Sequence, residues 1–540
     1  MEIKDLVLPS INQFASDYTS GRLKTDNFFH YDLNDEKVYE KRYSELMNRQ
    51  FYRTELSEAI REFMRPLEIN ERVHQNIEAL KEAGTVAVVG GQQAGLLSGP
   101  LYTIHKAISV ISLARQQEKA LNKKVVPVFW IAGEDHDYQE VNHVYILKNG
   151  RPEKTSYPYY SAGKPMVSDI GLDYETAVSW VERIFESYGE TDHTNALISG
   201  MKEILKNSRN FVDFFARLMH EWFKEYGLLL IDASDIRLRG LESGYFTTMI
   251  KKAPEITAAV LEQQEFIASE GYKKAIEMSG NAANLFYYDL TDKERSLLEL
   301  DGRGGFTAPG QSFTEAELLH IAETGPEALS NNVVTRPLMQ ESVFPVLAFI
   351  AGPGEAAYWA ELKKAFELFE MKMPPIVPRL NFTLVERPIA ADLDDLGLSL
   401  EDVLTGKTDE SLQQFIEKIK DENLENLYQH MLESVQKAHA DFSSHALTID
   451  AALEPLLKKN QELIQKQLEF IHDKADGANR MKYSIIIRKY ERAAASLYPG
   501  NSPQERIWNP FYFLNKYPDL VQKLAEKDYE FNNKHKAVYL

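Results

Sequence analysis

The chain has 540 residues, 44% of them apolar, so it has enough material for several buried cores. Its 61 basic and 81 acidic residues give a net charge of -20, which argues against a large nucleic-acid-binding surface. The absence of cysteine excludes disulfides, thiolate metal sites and a cysteine nucleophile. The N-terminus lacks a secretory pattern and the longest apolar run, 343–351, is too short to span a membrane, so we expect a soluble cytoplasmic protein.

The first part of the chain alternates helical patterns with short apolar runs. Strand, helix, strand repeats of this kind predict parallel pairing with right-handed crossovers. The predicted helices are at 35–84, 174–188 and 198–225, and the predicted strands are at 86–89, 125–133 and 228–232.

The pattern becomes mixed after residue 236, with short strands near 284–288 and 297–300, and parallel strands return at 345–351 and 375–379. The predicted fold class is therefore α/β, with a parallel sheet core and an inserted subdomain. The predicted domains are 1–235 and 331–390 for the two parts of the core, 236–330 for the insertion, 391–480 for a helical hairpin, and 481–540 for a segment that returns to the core.

The hairpin region loses glycine and gains Lys, Glu and Gln on helical spacing. An apolar seam with one polar residue indicates a coiled coil, and we expect it to make a homodimer. Alternatively, these helices pack only on their own chain, because the seam is short. The seam residues are Leu453, Leu457, Asn460, Ile464, Leu468 and Ile471.

Glycines follow the first predicted strand, and a helix pattern follows the glycines. A strand, a glycine-rich turn and a helix N-terminus together favour a phosphate or carboxylate, and His105 and Lys106 add donors. The segment contains neither the dinucleotide fingerprint nor the phosphate-loop motif. Alternatively, His105 is a capped surface histidine. The candidate nucleotide-binding residues in this segment are Gly90, Gly91, Gln92, Gln93, Gly99, Tyr102 and Thr103.

Ionisable residues follow the second strand, in the order Glu134, Asp135, His136 and Asp137. Ligands of open α/β sheets bind at the carboxyl ends of the strands. The cluster suits either metal ligands or a histidine paired with a carboxylate for proton transfer, and the spacing does not decide between them. Alternatively, the acidic residues cap the next helix.

Two arginines, Arg336 and Arg379, are candidates for binding carboxylate or phosphate, or are buried salt-bridge partners. A second strand, turn and helix arrangement carries Gly352, Gly354, Glu355 and Tyr358, and its glycines allow a ligand to approach the backbone. Near the C-terminus, Tyr490, Gln504 and Arg506 are candidates for a second anion or nucleotide site, or have a structural role.

Taken together, these segments resemble the bacillithiol-biosynthesis cysteine-adding enzymes over essentially the whole chain. The resemblance implies a Rossmann-like core similar to class I synthetase-like nucleotidyltransferases, a connecting-peptide insertion and a coiled-coil homodimer. It also implies the addition of L-cysteine to glucosaminyl malate. The segments that carry it are Gly90-Gly91-Gln92-Gln93, 99–106, 130–137, Arg336-Pro337, Gly352-Pro353-Gly354-Glu355 and Gln504-Glu505-Arg506.

The chain departs from the class I pattern, because it lacks both the His-Ile-Gly-His signature and the Lys-Met-Ser-Lys-Ser loop. Cysteinyl-specific relatives bind zinc partly through cysteines, which this chain lacks. Any metal would therefore need His and carboxylate ligands, and His136, Asp135 and Asp137 are the first candidates. The sequence does not decide whether the protein binds zinc, and Mg²⁺ is a candidate that would accompany a nucleotide.

Joining a carboxylate to an amine in water needs an activated carboxyl group, so we expect ATP, with ADP or AMP as product. In this hypothesis His105 and Lys106 stabilise phosphate charge, and His136 manages the amine proton with Asp135 or Asp137 orienting it. The candidate substrate-binding residues are Trp130, Glu134, Arg336, Tyr358 and Arg379. Alternative functions are a non-catalytic dimeric scaffold and an ATP-dependent ligase for a different amine.

Overall fold

The structure is a computed structural model that describes residues 1–10, 12–159 and 163–540. The chain forms two compact units. The core unit contains Ile3–Thr383 and Gln504–Val538, and the helical unit contains Leu384–Pro503 with the terminal residues 1–2 and 539–540. No helix in the described residues is long and apolar enough to cross a membrane.

Strands and helices are interspersed up to residue 385, and helices predominate after it. In chain order through β14 they are β1 (Glu2–Leu6), α1 (Gln13–Thr19), α2 (Val38–Leu46), α3 (Arg53–Met64), α4 (Glu71–Ala79), β2 (Val86–Gln92), α5 (Tyr102–Leu121), β3 (Val125–Ile131), α6 (Tyr138–Val141), β4 (His143–Lys148), β5 (Arg151–Ser156), α7 (Tyr174–Tyr188), α8 (Thr194–Lys206), α9 (Phe211–Phe223), β6 (Leu229–Asp232), α10 (Ile236–Lys251), α11 (Ala253–Ser269), β7 (Ala282–Asp289), β8 (Glu294–Leu300), β9 (Gly305–Ala308), β10 (Gln311–Thr314), α12 (Glu315–Thr324), β11 (Leu329–Asn331), α13 (Thr335–Val343), β12 (Val346–Ala351), α14 (Pro353–Ala360), α15 (Lys363–Leu368), β13 (Ile376–Pro378) and β14 (Phe382–Val385). The remaining elements are α16 (Arg387–Leu396), α17 (Leu400–Leu404), α18 (Thr408–Lys418), α19 (Glu422–Ile449), α20 (Glu454–Lys482), α21 (Ser484–Leu497), α22 (Gln504–Ile507), α23 (Pro510–Leu514), α24 (Leu520–Ala525) and β15 (His535–Tyr539).

A five-stranded parallel sheet forms the centre of the core unit, in the order β13-β12-β2-β3-β6. Its strands are buried on both faces, as their continuous apolar runs predict. The chain runs from β2 towards β6 on one side and returns to build β12 and β13 on the other. The switch point therefore lies between β2 and β12, where open α/β sheets bind their ligands.

The predicted glycine turn at Gly90 and Gly91 is wrong, because both residues are part of β2 and pair with β3. A Cβ on Gly91 would lie 2.5 Å from the carbonyl oxygen of Trp130, and one on Gly90 would lie 2.7 Å from a methyl group of Val110. The glycines are therefore needed for the close approach of β2 to β3 and α5.

An antiparallel sheet of order β10-β9-β8-β7-β11 forms the inserted subdomain, and it contains both strands predicted there. The predicted helix at 198–225 is instead two helices, α8 and α9. The break has a local cause, since the side chain of Asn210 accepts a hydrogen bond from the backbone N–H of Asp213 and starts α9. The α/β class with a parallel core, an insertion and a helical hairpin is confirmed.

The helical unit contains a hairpin of α19 and α20. Asn460 of the predicted seam lies within hydrogen-bond distance of His439, 3.2 Å from Nε2 to Oδ1, so the two helices pair within one chain. Ile471, by contrast, is 55% exposed. The half-buried seam residues on α20 and the segment before it are Leu453, Leu457, Ile464 and Leu468.

A buried ion pair attaches the return segment to the core unit. Two nitrogens of Arg379, which directly follows β13, donate to the two oxygens of Glu505 in α22, at 2.5 and 2.6 Å. Nδ1 of His105, in α5, lies 3.1 Å from the same carboxylate. Burial alone raises the pKa of Glu505, but Arg379 and His105 outweigh it and hold that pKa below its usual range. The Glu505 carboxylate is therefore ionised.

Replacing Glu505 with Gln should destabilise the core unit by about 3 kcal/mol, because it leaves the buried Arg379 guanidinium without its counter-charge. All five tryptophans (130, 180, 222, 359 and 508) lie in this unit, so urea unfolding followed by tryptophan fluorescence reports on it. Glu526→Gln, at an exposed position of the same segment, is the control. Equal stability of the two variants would contradict the assignment.

Candidate active site

A pocket of about 530 Å³ lies at the switch point, beyond the ends of β2 and β3 and against the start of α14. The inserted subdomain supplies its opposite wall through β7, β8 and β11. Ten predicted site residues line it, namely Gly91, Gln92, Gln93, Trp130, Glu134, Asp135, His136, Arg336, Glu355 and Tyr358. Parts of four predicted segments therefore meet at one cavity, and the other predicted residues lie elsewhere.

Lys106 connects the two strand ends that flank the switch point. Its ammonium donates to the carbonyl oxygen of Gly91 at 2.7 Å and forms an ion pair with Glu355. Glu355 also accepts from the backbone N–H of Gly352 at 2.7 Å. Burial lowers the pKa of Lys106, and the Glu355 charge opposes this shift. Lys106 therefore holds β2 against α14, and its charge is already neutralised.

The turn after β3 rests on a buried carboxylate. Asp232, at the end of β6, accepts a hydrogen bond from the backbone N–H of Gly133 at 2.9 Å, and Ser234 donates to its other oxygen at 2.5 Å. Burial raises the pKa of Asp232 to about 7. A Cβ on Gly133 would lie 2.2 Å from Asp232, so the turn requires glycine.

Glu134 is neutralised by a buried arginine. It forms an ion pair with Arg239 and accepts from the backbone N–H of Asn331 at 3.2 Å. Arg239 also donates to Glu242 at 2.6 Å, and burial raises the pKa of Glu242 to about 7 against the opposing charge of Arg239. The Glu134 carboxylate therefore positions β11 at the pocket wall.

Arg295, on β8, contacts both His136 and Asp135. A guanidinium nitrogen lies 2.9 Å from Nδ1 of His136 and 3.3 Å from an oxygen of Asp135. Because arginine only donates hydrogen bonds, Nδ1 of His136 must be the acceptor. Burial lowers the pKa of His136, and the Arg295 charge adds to this. His136 is thus a neutral imidazole with its proton on Nε2.

We expected a carboxylate, Asp135 or Asp137, to orient His136, and the structure shows Arg295 in that position. The Asp135 carboxylate instead accepts from the side-chain amide of Gln93 at 3.0 Å and from Arg295. Asp137 is exposed at the start of α6 and is not among the lining residues. An imidazole whose Nδ1 faces a cation serves as a hydrogen-bond donor through Nε2, and in that tautomer Nε2 cannot accept a proton.

Other pocket groups remain available to a ligand. Arg336 donates to the Tyr358 hydroxyl at 2.9 Å and to Gln340 at 3.2 Å. Trp130 and Asn331 are buried, and in the described residues neither the indole N–H nor the Asn331 side-chain amide has a hydrogen-bond partner. Buried polar groups left unpaired at a pocket wall are suited to bind a polar ligand.

The structure places the remaining predicted residues outside the lining of this pocket. His105 and Thr103 are buried in α5, and Tyr102 starts that helix beneath the Arg379 guanidinium. Gly352 and Arg379 line a smaller cavity of about 70 Å³, and Gly354 lies within α14. Gly99 has a φ of +71° in the preceding turn. Gln504 and Arg506 are in α22 of the core unit, and Tyr490 is in α21 of the helical unit, against Phe415.

Within the described parts of the chain, no group of three or more His, Asp or Glu side chains is arranged to hold a metal ion. His136, Asp135 and Asp137, the predicted ligands, do not form such a group. The reason is visible in the contacts, since Arg295 lies between His136 and Asp135. A guanidinium in that position repels a cation.

Sequence reasoning missed Arg295, Phe286, Asn331 and Asn332, all in the pocket wall. They come from the inserted subdomain and the chain just after it. No motif distinguishes Arg295 in the sequence, because its importance arises from the pairing of β8 with β7. The sequence offered only an arginine two residues before the short strand predicted at 297–300.

Comparison with known proteins gives consistent matches. Residues 1–380 match the family model "Bacillithiol biosynthesis BshC, N-terminal Rossmann-like domain", and residues 382–540 match "Bacillithiol biosynthesis BshC, C-terminal coiled-coil domain". Proteins named "Putative cysteine ligase BshC" are 43% identical in Geobacillus sp. (strain WCH70) and Geobacillus thermodenitrificans, and 40% identical in Bacillus licheniformis. Each alignment covers 100% of this chain and 100% of the relative.

A solved structure titled "putative arginyl t-RNA synthetase from Campylobacter jejuni" is 11% identical to this chain. The match covers 88% of this chain and 99% of that chain, with a TM-score of 0.23. At that score the likeness supports no conclusion.

The tautomer of His136 can be measured directly. In protein labelled with ¹⁵N-histidine, the His136 signals, assigned by their loss in His136→Gln, should show a neutral ring protonated on Nε2 at pH 7. Arg295→Met should raise the pKa of His136 and mix the tautomers, since a neighbouring cation and an obligate donor are removed. Arg303→Met, at an exposed position of the same subdomain, should change neither. A proton on Nδ1 in the unsubstituted protein would refute the deduction.

Proposed function

The chain belongs to the bacillithiol biosynthesis BshC family, and from this membership we propose that it is the ligase that adds L-cysteine to glucosaminyl malate. Its relatives carry the name "Putative cysteine ligase BshC". The observation that carries the proposal is the pocket at the sheet's switch point, which is lined by Arg336, Arg295 and His136. Such a set of donors suits carboxylate and phosphate groups.

Condensation of a carboxylate with an amine needs a source of activation, and we propose that ATP is consumed in the reaction. The C–N bond forms as the amine nitrogen attacks the activated cysteine carboxyl carbon, and AMP with pyrophosphate or ADP with phosphate leaves. The fit to ATP rests on the donors, because the cavity contains Gln92 at the end of β2, Asn332 directly after β11 and Arg336 in the first turn of α13. Mg²⁺ would accompany the nucleotide.

The residue roles follow from which groups are already paired. Arg336, held by the Tyr358 hydroxyl, binds a carboxylate or phosphate oxygen. His136 donates its Nε2 proton to the oxygen that gains negative charge in the attack. The proton lost by the amine passes to one of the pocket's carboxylates, Asp135, Glu140 or Glu277. In this assignment Lys106 and Glu355 hold the two sides of the site together.

Mass spectrometry of the purified protein with ATP, Mg²⁺, L-cysteine and glucosaminyl malate should show the cysteine conjugate. AMP in the mixture would identify adenylation, and ADP would identify a phosphorylated intermediate. Arg336→Gln should reduce kcat/KM by about 100-fold, since it removes a charged contact to the reacting groups. Arg303→Gln should retain full activity. If the mixture shows no product and no nucleotide turnover, the function is refuted and a scaffold is favoured. Turnover with another amine would identify a different acceptor.

A homodimer through the helical unit is also part of the proposal. Leu456, Leu463 and Phe470 recur at every seventh residue of α20 and are 65%, 52% and 56% exposed. Leu427 and Phe442 of α19 are 69% and 67% exposed. The hairpin therefore carries an apolar surface beyond its internal seam, and a second copy would cover it. We expect the reaction to take place in the cytoplasm, where ATP and reduced cysteine coexist.

Light scattering at micromolar concentration should give twice the monomer mass of 61.8 kDa. Leu463→Glu combined with Phe470→Glu should give a monomer, because two charges on this surface would have to be buried. Lys458→Glu, which changes a charge on another side of α20, should stay dimeric. A monomeric unsubstituted protein would contradict the dimer and leave the ligase proposal untouched.

A further inference from the structure

A second cavity, of about 520 Å³, adjoins the switch-point pocket. The two cavities share four lining residues, His136, Phe286, Arg295 and Leu297. The shared wall is compact, because Arg295 stacks over the Phe286 ring at 3.7 Å from its centroid and His136 meets the same ring edge-on at 5.7 Å. The His136 imidazole therefore lies at the boundary between the two cavities.

The floor of the second cavity is one face of the inserted antiparallel sheet. Side chains alternate along a strand, so Arg295, Leu297 and Glu299 of β8 share a face. Phe286 pairs with Leu297, and Thr307 pairs with Glu299, which brings both neighbouring strands onto that face. This face of the sheet thus carries, in order from His136, the side chains of Arg295, Leu297, Glu299 and Thr307.

The side wall carries the remaining charges. The backbone of Lys164 makes two hydrogen bonds to β8. Its N–H donates to the side-chain carboxylate of Glu294 at 3.0 Å, and its carbonyl oxygen accepts from the backbone N–H of Arg295 at 3.2 Å. The lining of the cavity therefore includes two basic side chains, Lys164 and Arg295, and two acidic side chains, Glu294 and Glu299. Exposed Leu297 provides an apolar surface between them.

This mixture matches a hydroxylated ligand that carries charges of both signs. Carboxylates such as Glu299 accept hydrogen bonds from sugar hydroxyls, whereas lysine and arginine bind carboxylates. An amino sugar with attached carboxylates has all of these groups.

We propose that the inserted sheet forms an acceptor compartment, in which Glu299, Thr307 and Lys164 bind the amino sugar and its carboxylates while its amine faces His136. The inference rests on the proposed ligase function and specifies where its second substrate binds. At the boundary that both cavities line, beside His136, the amine then attacks a cysteine carboxyl held in the switch-point pocket. The C–N bond forms, the activating group leaves with its oxygen, and the amine proton goes to a carboxylate of the switch-point pocket.

The compartment is tested by calorimetric titration of the full-length protein with glucosaminyl malate, alone and with cysteine plus a non-hydrolysable ATP analogue. Glu299→Gln and Thr307→Val should each weaken binding about tenfold and raise the acceptor KM equally, because each loses a hydrogen bond to the sugar. The KM values for cysteine and ATP should stay within about twofold. Glu323→Gln, at an exposed position of α12, is the charge-matched control and should bind normally.

The outcomes separate the compartment from the function. Weaker binding in the Glu299 and Thr307 variants without turnover in any protein would support the compartment and refute the ligase proposal. Turnover with an unchanged acceptor KM in both variants would refute the compartment and support the ligase. An unsubstituted protein that binds no glucosaminyl malate under either condition would also overturn the compartment. Circular dichroism of each variant establishes that a weaker signal does not come from unfolding.

Discussion

The buried contact of Arg379 with Glu505 and His105 joins three distant parts of the core unit: the end of the parallel sheet, helix α5 and the return segment. Two charges taken out of water are stable only when each has a well-placed partner, so this contact fixes one position of the return segment. Asn509, close by, donates to the carbonyl oxygens of Leu97 and Gly99 at 2.8 Å each. The turn that leads into α5 is therefore built with residues from the far end of the chain.

Consecutive residues of α5 transmit this constraint to the site. His105 takes part in the Glu505 contact, and Lys106 binds the end of β2 and Glu355 at the start of α14. A shift of α5 would therefore disturb the return segment and the switch point together. The two basic residues that the sequence offered as phosphate ligands are thus already paired, His105 with Glu505 and Lys106 with Gly91 and Glu355. Among the described residues, the pocket groups left for a ligand include Arg336 and, on the inserted sheet, the side-chain amide of Asn331.

The sequence was sufficient for the parts of the fold that depend on local pattern. Apolar runs identified the buried strands, and ionisable residues after β3 identified the edge of the sheet that carries the pocket. The sequence failed where a residue acts through distant neighbours. Gly90 and Gly91 were predicted to form a turn. They lie in a strand, where the close approach of Trp130 and Val110 leaves no room for a Cβ. Arg295 acquires its importance only when β8 pairs with β7 and brings it to His136.

Arg295 also explains why the insertion and the core form one site. A carboxylate on Nδ1 would have made His136 a base, whereas a guanidinium makes it a donor with a lowered pKa. Arg295, which adds to burial in lowering the pKa of His136, lies on the inserted sheet, whereas His136 itself follows core strand β3. The reactive character of the core pocket thus depends on the position of the insertion. A structure that moved β8 away would lose the donor form of His136 and the wall shared by the two cavities at the same time.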